Sequence, residues 1–435
     1  MRRQLIKIGG DVALVRLAGM GAGFLLTIVF ARTLGAEGLG IYGYTLLLLM
    51  MASVPVSNGW GTLLLRAVSG AMANGTWRAA RGIQRIATMA AVAMALMAGL
   101  AGLAWVHMWP GSWLNPAMAV TLSVILLCDQ LSALRLAALR GLGHPVWGQM
   151  PETLLRPGLV LAVFLTAGWV TGTADVALAL GALLVAALVA FGVGALILRR
   201  KAPAHFITAE PETAAGPWSR AAGLLATNSG LVILNGQVDF LALGLLASAA
   251  DLGHYRVAMQ IALVSAFGYT ALNMIAAQRF AYLFAADDHV SLQATATFLA
   301  RLAFVMTLPL PVLFWFWGEV ILETVFGPNF VMALTPTLIL LSVQSISAAC
   351  GFGMTLMTMG GAEREILPIT LFGVVLNGVG CLLLIPVLGL AGAALATLLS
   401  QTLWNLTVTW RLKRRFGLDA TLSGLFAGPP PDNDR

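Results

Sequence analysis

Apolar segments of membrane-crossing length recur along this 435-residue chain from its first turn to about residue 411, leaving little sequence from which a water-facing globule could be built. A helix needs about 20 apolar residues to cross a hydrocarbon core about 30 Å thick. Roughly twelve such segments fit the pattern. In the first half they cover 9–33, 39–65, 82–107, 114–139, 152–170 and 174–198; in the second, 220–247, 252–284, 294–317, 331–359, 366–387 and 390–411. The long eighth and tenth segments imply helical extensions beyond the lipid core. Charged residues make up 10% of the chain, against roughly a quarter in soluble domains, and mean hydropathy is +0.89. The expected fold is all-α and polytopic, because inside lipid a helix satisfies its own backbone polar groups.

One pattern is written twice. Leu39-Gly40-Ile41-Tyr42 follows the turn Leu34-Gly35-Ala36-Glu37-Gly38 and returns as Leu252-Gly253-His254-Tyr255, with Arg66 and Arg279 at matching distances from the two copies. Glycine turns also fall at corresponding corners: Gly141-Leu142-Gly143-His144-Pro145 after the fourth segment, Met359-Gly360-Gly361-Ala362-Glu363 after the tenth. Internal repeats of this kind are common in transporter folds. Six helices per half, both halves starting on one side, predict two six-helix lobes related by a pseudo-two-fold axis along the membrane normal. The lobes are expected at 1–198 and 218–415. They are joined by a linker at 199–217, rich in Pro203, Glu210, Pro211, Glu212, Gly216 and Pro217. In the tail, 416–435, Pro429-Pro430-Pro431-Asp432 cannot continue a helix and reads as disordered.

The net charge of +7 sits at helix ends. Arg66, Arg78, Arg81, Arg85, Arg140, Arg156, Arg199, Arg200, Lys201, Arg220, Arg411, Lys413, Arg414 and Arg415 fall on the side of the N-terminus, while the other side holds Arg32, Arg256 and otherwise Trp109, Trp113, Trp169, Trp315 and Trp317. The positive-inside rule then places both termini in the cytoplasm. Arg2, Arg3 and Lys7 precede the first span, which reads as an anchor and not as a cleaved signal. Nucleic acid is not an expected partner, because no basic stripe carries stacking aromatics. Cys128, Cys350 and Cys381 lie in apolar runs and the five histidines are scattered, so neither a disulfide framework nor a metal site is indicated. No Walker-type phosphate loop and no nucleophile–base constellation occurs, so neither an enzyme nor a cofactor is expected. Gly19-Met20-Gly21-Ala22-Gly23 lies within an apolar helix and reads as a packing face.

Three stretches carry a family resemblance. Ala31-Arg32-Thr33-Leu34-Gly35-Ala36-Glu37-Gly38-Leu39-Gly40-Ile41-Tyr42 resembles the opening signature of the polysaccharide flippases, in the multidrug, oligosaccharidyl-lipid and polysaccharide exporter superfamily. Val325-Phe326-Gly327-Pro328-Asn329-Phe330 is similar to the turn before their tenth helix, and the run from Leu384 to Thr397 to their eleventh-to-twelfth helix junction. The matches reach across nearly the whole chain but are structural turns, so they point to a family better than to a substrate. The resemblance implies alternating-access transfer of an undecaprenyl-diphosphate-linked oligosaccharide from the cytoplasmic to the outer leaflet of a bacterial inner membrane. That step serves O-antigen (lipopolysaccharide) or exopolysaccharide assembly, with membrane lipids and a polysaccharide polymerase or ligase as partners. The alternative is a cation-coupled drug antiporter of the same superfamily, which would need a free acidic residue. A membrane glycosyltransferase would need acidic groups on a large outer loop, and the outer loops are short.

A diphosphate moving through hydrocarbon needs a wet, cationic route, since an unpaired ion there costs tens of kcal/mol by idealised estimates. Arg16, roughly 13 Å along the first helix from Lys7, is one candidate for binding it; an ion pair with Asp129 is the other reading. Asp239 is the candidate for ion coupling. Hairpin geometry puts it at the depth of Arg256, which favours a structural salt bridge and would leave Arg256 less available for phosphate. Gln260 and Asn273 on the eighth segment, and Asn228 and Asn235 on the seventh, are candidates for sugar hydroxyls or for ordinary interhelical contacts.

Overall fold

Helix-capping residues stand where the apolar segments begin. Asn115 accepts a hydrogen bond from the Met118 amide, Asp175 from Leu178 and Asp288 from Ser291, while Ser248 and Asp251 form a reciprocal capping box. Left-handed glycines close helices at Gly75, Gly172 and Gly417. The computed structural model describes residues 2–108, 115–212 and 214–424; Trp109, Trp113 and the Pro429-Pro430-Pro431-Asp432 run lie outside the described residues.

Every regular element among the described residues is helical. In chain order α1 (Arg2–Val54) passes through a π-helical turn (Pro55–Trp60) into α2 (Gly61–Asn74). Then come α3 (Trp77–Met108), α4 (Pro116–Gly141), α5 (Pro145–Met150), a second π-turn (Pro151–Leu155), α6 (Arg156–Thr171), α7 (Val176–Lys201), α8 (Ala204–Thr208) and α9 (Ala215–Asn235). They are followed by α10 (Val238–Leu246), α11 (Ala249–Ser265), α12 (Phe267–Ala285), α13 (His289–Thr307) and α14 (Pro309–Val325). A 3-10 turn (Pro328–Ala333), α15 (Leu334–Cys350), α16 (Gly353–Met359) and α17 (Glu363–Phe416) complete the order.

Eight helical stretches are long and apolar enough to cross a membrane, and two bent pairs, α9–α10 and α11–α12, bring the number to ten. Two of the eight run for 61 and 52 residues, roughly 90 and 80 Å, far more than one crossing. Each is interrupted by one glycine with non-helical angles, Gly35 (φ 70°) and Gly389 (φ 55°). Counted as two crossings apiece, they give the twelve expected. The turn predicted over Leu34–Gly38 is thus confined to Gly35, because glycine alone takes the positive φ that redirects the chain without a loop.

The chain divides into two compact units. The first holds the residues up to Leu34 together with Thr45–Ile233. Without a hydrophobic force between helices in lipid, close backbone approach has to supply the packing energy. In α7 the spacing Ala182, Ala186, Ala190, Gly194 supplies it, and in α3 Ala80, Ala87, Ala91 and Ala95 are all buried. The segment predicted as a linker is seated on α3: Phe206 is buried edge-on against Trp77, Glu212 donates its amide to the Arg78 carbonyl, and Arg78 pairs with Glu210 at 3.0 Å.

The second unit holds Gly35–Tyr44 and everything from Leu234. Its core gathers Phe280, Leu292, Ala296, Ala348, Phe352, Leu356, Met357 and Leu412 from α12, α13, α15, α16 and α17. The two copies of the repeat meet here. A Cβ added to Gly40 would overlap the Ala249 carbonyl and lie 2.7 Å from the Gly253 nitrogen, and one added to Gly253 would overlap the Ala36 carbonyl. Ala36 and Ala249 hold the same place in the two copies, so the contact is reciprocal, as a local two-fold between the hairpins requires. Replacing Gly253 by alanine is expected to cost about 3 kcal/mol and to lower the melting temperature in detergent. Gly70→Ala, on an open helical face with nothing within 4 Å, should instead gain about 0.5–1 kcal/mol.

Candidate substrate and ion-coupling residues

The seventh crossing is broken between α9 and α10, and a break inside an apolar segment leaves backbone donors and acceptors without helical partners. Asp239, 4% exposed, stands in the first turn of α10, where the helix dipole favours an anion. Its Oδ1 accepts the Phe240 amide at 2.8 Å, and its Oδ2 accepts the Tyr255 hydroxyl at 2.6 Å and the Thr397 hydroxyl at 3.0 Å. All three partners are donors, the arrangement an ionised carboxylate accepts. The Tyr255 ring stacks on Phe240, which meets Tyr44 edge-on. Tyr44 lies so close to Gly244 that a Cβ there would overlap its ring.

The predicted salt bridge from Asp239 to Arg256 is not formed. Successive residues on a helix point about 100° apart, so once Tyr255 faces Asp239 its neighbour must face elsewhere. Arg256 lays its aliphatic stem against Gly43, 3.3 Å from where a Cβ would stand, and comes within electrostatic reach of Tyr42. It makes no ion pair with any described residue.

The alternative reading of Arg16, an ion pair with Asp129, is not formed either. Asp129 binds Arg156 through two bonds, of 2.5 and 3.3 Å. Arg156 lies 3.5 Å from Glu152, and Glu152 holds Arg135, 4% exposed, at 3.2 Å. The π-turn Pro151–Leu155 carries Glu152. Arg135 also donates to the Ala190 carbonyl at 3.2 Å and fills the space that a side chain at Gly194 would need. The four charges cancel within the first unit. Arg16 is left exposed on α1, without an ion pair among the described residues and within electrostatic reach of Arg140.

The other candidates divide. Asn273 accepts the Thr355 hydroxyl at 2.6 Å, an α12–α16 contact. Asn235 stands at the break, its Oδ1 3.5 Å from the position of a Cβ on Gly373. Gln260 is half-buried one turn beyond Arg256, and Asn228 is exposed on α9 in the first unit.

The family model described as polysaccharide biosynthesis protein matches residues 12–281. The chain belongs to the polysaccharide biosynthesis protein family. No curated protein sequence matches it. Among solved structures, an inward-facing multidrug resistance MATE family transporter of the MOP superfamily aligns with a TM-score of 0.72 at 13% identity, over 93% of this chain and 98% of that one. The lipid II flippase MurJ in an inward closed conformation aligns at 0.69 and 10% identity, over 94% and 87%. A MOP superfamily transporter from Pyrococcus furiosus aligns at 0.63 and 11% identity, over 94% and 95%. At such identities the likeness establishes the fold.

In this polysaccharide biosynthesis protein the residues that complete the Asp239 site were not singled out as functional. Tyr255 and Thr397 were visible only as members of structural motifs, the repeat and the Leu384–Thr397 run. For Tyr255 the signal was the recurrence of a tyrosine in both hairpins; Thr397 had none. The Arg135–Glu152 ion pair gave none, since which residues of α4 and the π-turn face one another is not written in their spacing. Glu152→Gln should weaken the hold on buried Arg135 and cost about 3 kcal/mol. Arg16→Ala, at an exposed position, should stay within about 0.5 kcal/mol of wild type. Thermal melts of the two purified variants make the check.

Proposed function

We propose that this polysaccharide biosynthesis protein moves an oligosaccharide, joined through a diphosphate to an undecaprenyl lipid, from the cytoplasmic to the outer leaflet of a bacterial inner membrane by alternating access. Both termini are then cytoplasmic, and a polymerase or ligase takes the product for O-antigen or exopolysaccharide assembly. The observation that carries this reading is that Arg16 and Arg256 lie in apolar spans without an ion pair among the described residues. An arginine in lipid is retained where it meets water or a mobile anion. A diphosphate offers two negative charges to such groups, and arginine binds phosphate oxygens bidentately. Arg140, near Arg16, adds to the positive field. Gln260, one turn from Arg256, and the exposed Asn228 are suited to sugar hydroxyls, as is Asn235 at the break.

Energy for the step is available from the membrane potential. About two negative charges leaving a negative interior across 100 mV release roughly 4 to 5 kcal/mol. Coupling through Asp239 is a separate device. Transporters hold coupling ions where broken helices present carbonyl ends beside a carboxylate, and Asp239 has three donors around it but no ion-pair partner among the described residues. That same observation favours the second reading, a cation-coupled antiporter, which needs a free acid.

Proteoliposomes with an imposed outside-positive potential separate the two. Wild type should transfer an undecaprenyl-diphosphate oligosaccharide outward. Arg16→Ala and Arg256→Ala should each lose about tenfold or more, the loss expected when a charge-assisted contact worth about 1.5–3 kcal/mol is removed. Asp239→Asn should keep the potential-driven transfer while losing any dependence on an ion gradient. Wild type that moves no lipid but expels organic cations, with Asp239 required, would replace this reading by the antiporter.

A further inference from the structure

The tenth crossing ends in a break at Gly351, and the chain supplies its own splint. α15 ends at Cys350, Gly351 takes φ 70° and α16 starts at Gly353. Three groups close the break. Gly351 donates its amide to Ala348 at 3.1 Å, Tyr269 of α12 donates its hydroxyl to the Gly351 carbonyl at 3.2 Å, and the Tyr269 ring stacks on Phe352. The Ala349 carbonyl, one of the last four of α15 and so without a helical partner, accepts from the Leu422 amide at 3.0 Å. That donor comes from beyond the last helix.

After α17 the chain turns at Gly417 (φ 67°), and residues 418–424 run back over the unit without regular helix. Leu418 and Ala420 are buried in the core with Leu292, Ala296, Ala348 and Phe352. Gln293 of α13 grips the backbone of Asp419 from both sides, its Nε2 donating to the carbonyl at 2.6 Å and its Oε1 accepting from the amide at 2.8 Å. The same Nε2 lies 3.3 Å from the Gly424 carbonyl, and Arg301 donates to the Leu422 carbonyl at 3.3 Å. The fit leaves no slack at either glycine. A Cβ on Gly351 would overlap the Ala420 carbonyl, and one on Gly424 would lie 2.5 Å from the Asp419 oxygen and 2.7 Å from Gln293.

We propose that residues 418–424 are a latch on the α15–α16 break: docked, they hold α16 in register, and undocked they free it to swing about Gly351. The motion reaches a candidate ligand group, because Thr355 of α16 is the residue hydrogen-bonded to Asn273. This last link rests on the flippase reading; the latch itself does not.

Amide hydrogen exchange on the full chain in lipid nanodiscs tests the latch without any substrate. Gln293→Ala removes the double grip and Gly424→Val drives a side chain into it, while Val290→Ala alters an exposed position of the same helix, 83% accessible, as the control. Both latch variants should speed exchange across 351–360 about tenfold, the factor that one to two net hydrogen bonds are worth. Exchange in α15 should not change. Unaltered protection of 351–360 in Gln293→Ala and Gly424→Val overturns the latch, whatever transport does. In proteoliposomes the same two variants should shift lipid transfer by at least about threefold. Faster exchange with unshifted transfer would refute the link to Asn273. Failure of wild type to transfer lipid would count against the flippase and leave the exchange result standing.

Discussion

Gly40 and Gly253 let two stretches of backbone touch inside a medium that gives helices no hydrophobic reason to associate. What the second unit does with its side chains follows from that contact. With the hairpins held this close, Tyr44 reaches Gly244 and Phe240, Tyr255 stacks beneath Phe240 and donates to Asp239, and Arg256 is turned toward Gly43 and Tyr42. A methyl group at either glycine would push apart two carbonyl-lined surfaces that cannot repack, since backbone has no rotamers to change. The glycines therefore act as geometric instruments, with no chemistry of their own.

Charge inside the apolar spans is handled in three ways, and the differences carry the functional meaning. Arg135, Glu152, Arg156 and Asp129 neutralise one another, which suits a structural role: removing one member would strand a buried ion at a cost of about 3–5 kcal/mol. Asp239 is surrounded by hydroxyl and amide donors, with no ion-pair partner among the described residues, an environment that holds an anion in place. Arg16 and Arg256 have neither arrangement among the described residues. The last two classes have opposite signs.

The interruptions rely on different local devices: Gly35 and Gly389 take a positive φ, Asp239 accepts the Phe240 amide at the start of α10, and Tyr269 donates to the Gly351 carbonyl. The break at Gly351 needs the most help, drawing on Tyr269 and on the segment after α17. Breaks concentrate local instability.

The number of crossings, the twofold repeat and the position of each candidate charge along its helix were legible in the sequence, because they depend on apolar length, glycine spacing and a fixed rise per residue. The family was legible too, in turns that glycine and proline specify locally. Hidden from it was rotation about the helix axis. Asp239 and Arg256 were expected to pair from their matching depth, yet Tyr255 takes the carboxylate and the adjacent residue faces another way; Asp129 likewise chose Arg156 over Arg16. Depth is a one-dimensional property that counting residues can recover. Which side chains meet is decided by how helices roll against one another, and that is set by contacts as distant in sequence as Gly40 with Gly253, or Leu422 with Ala349.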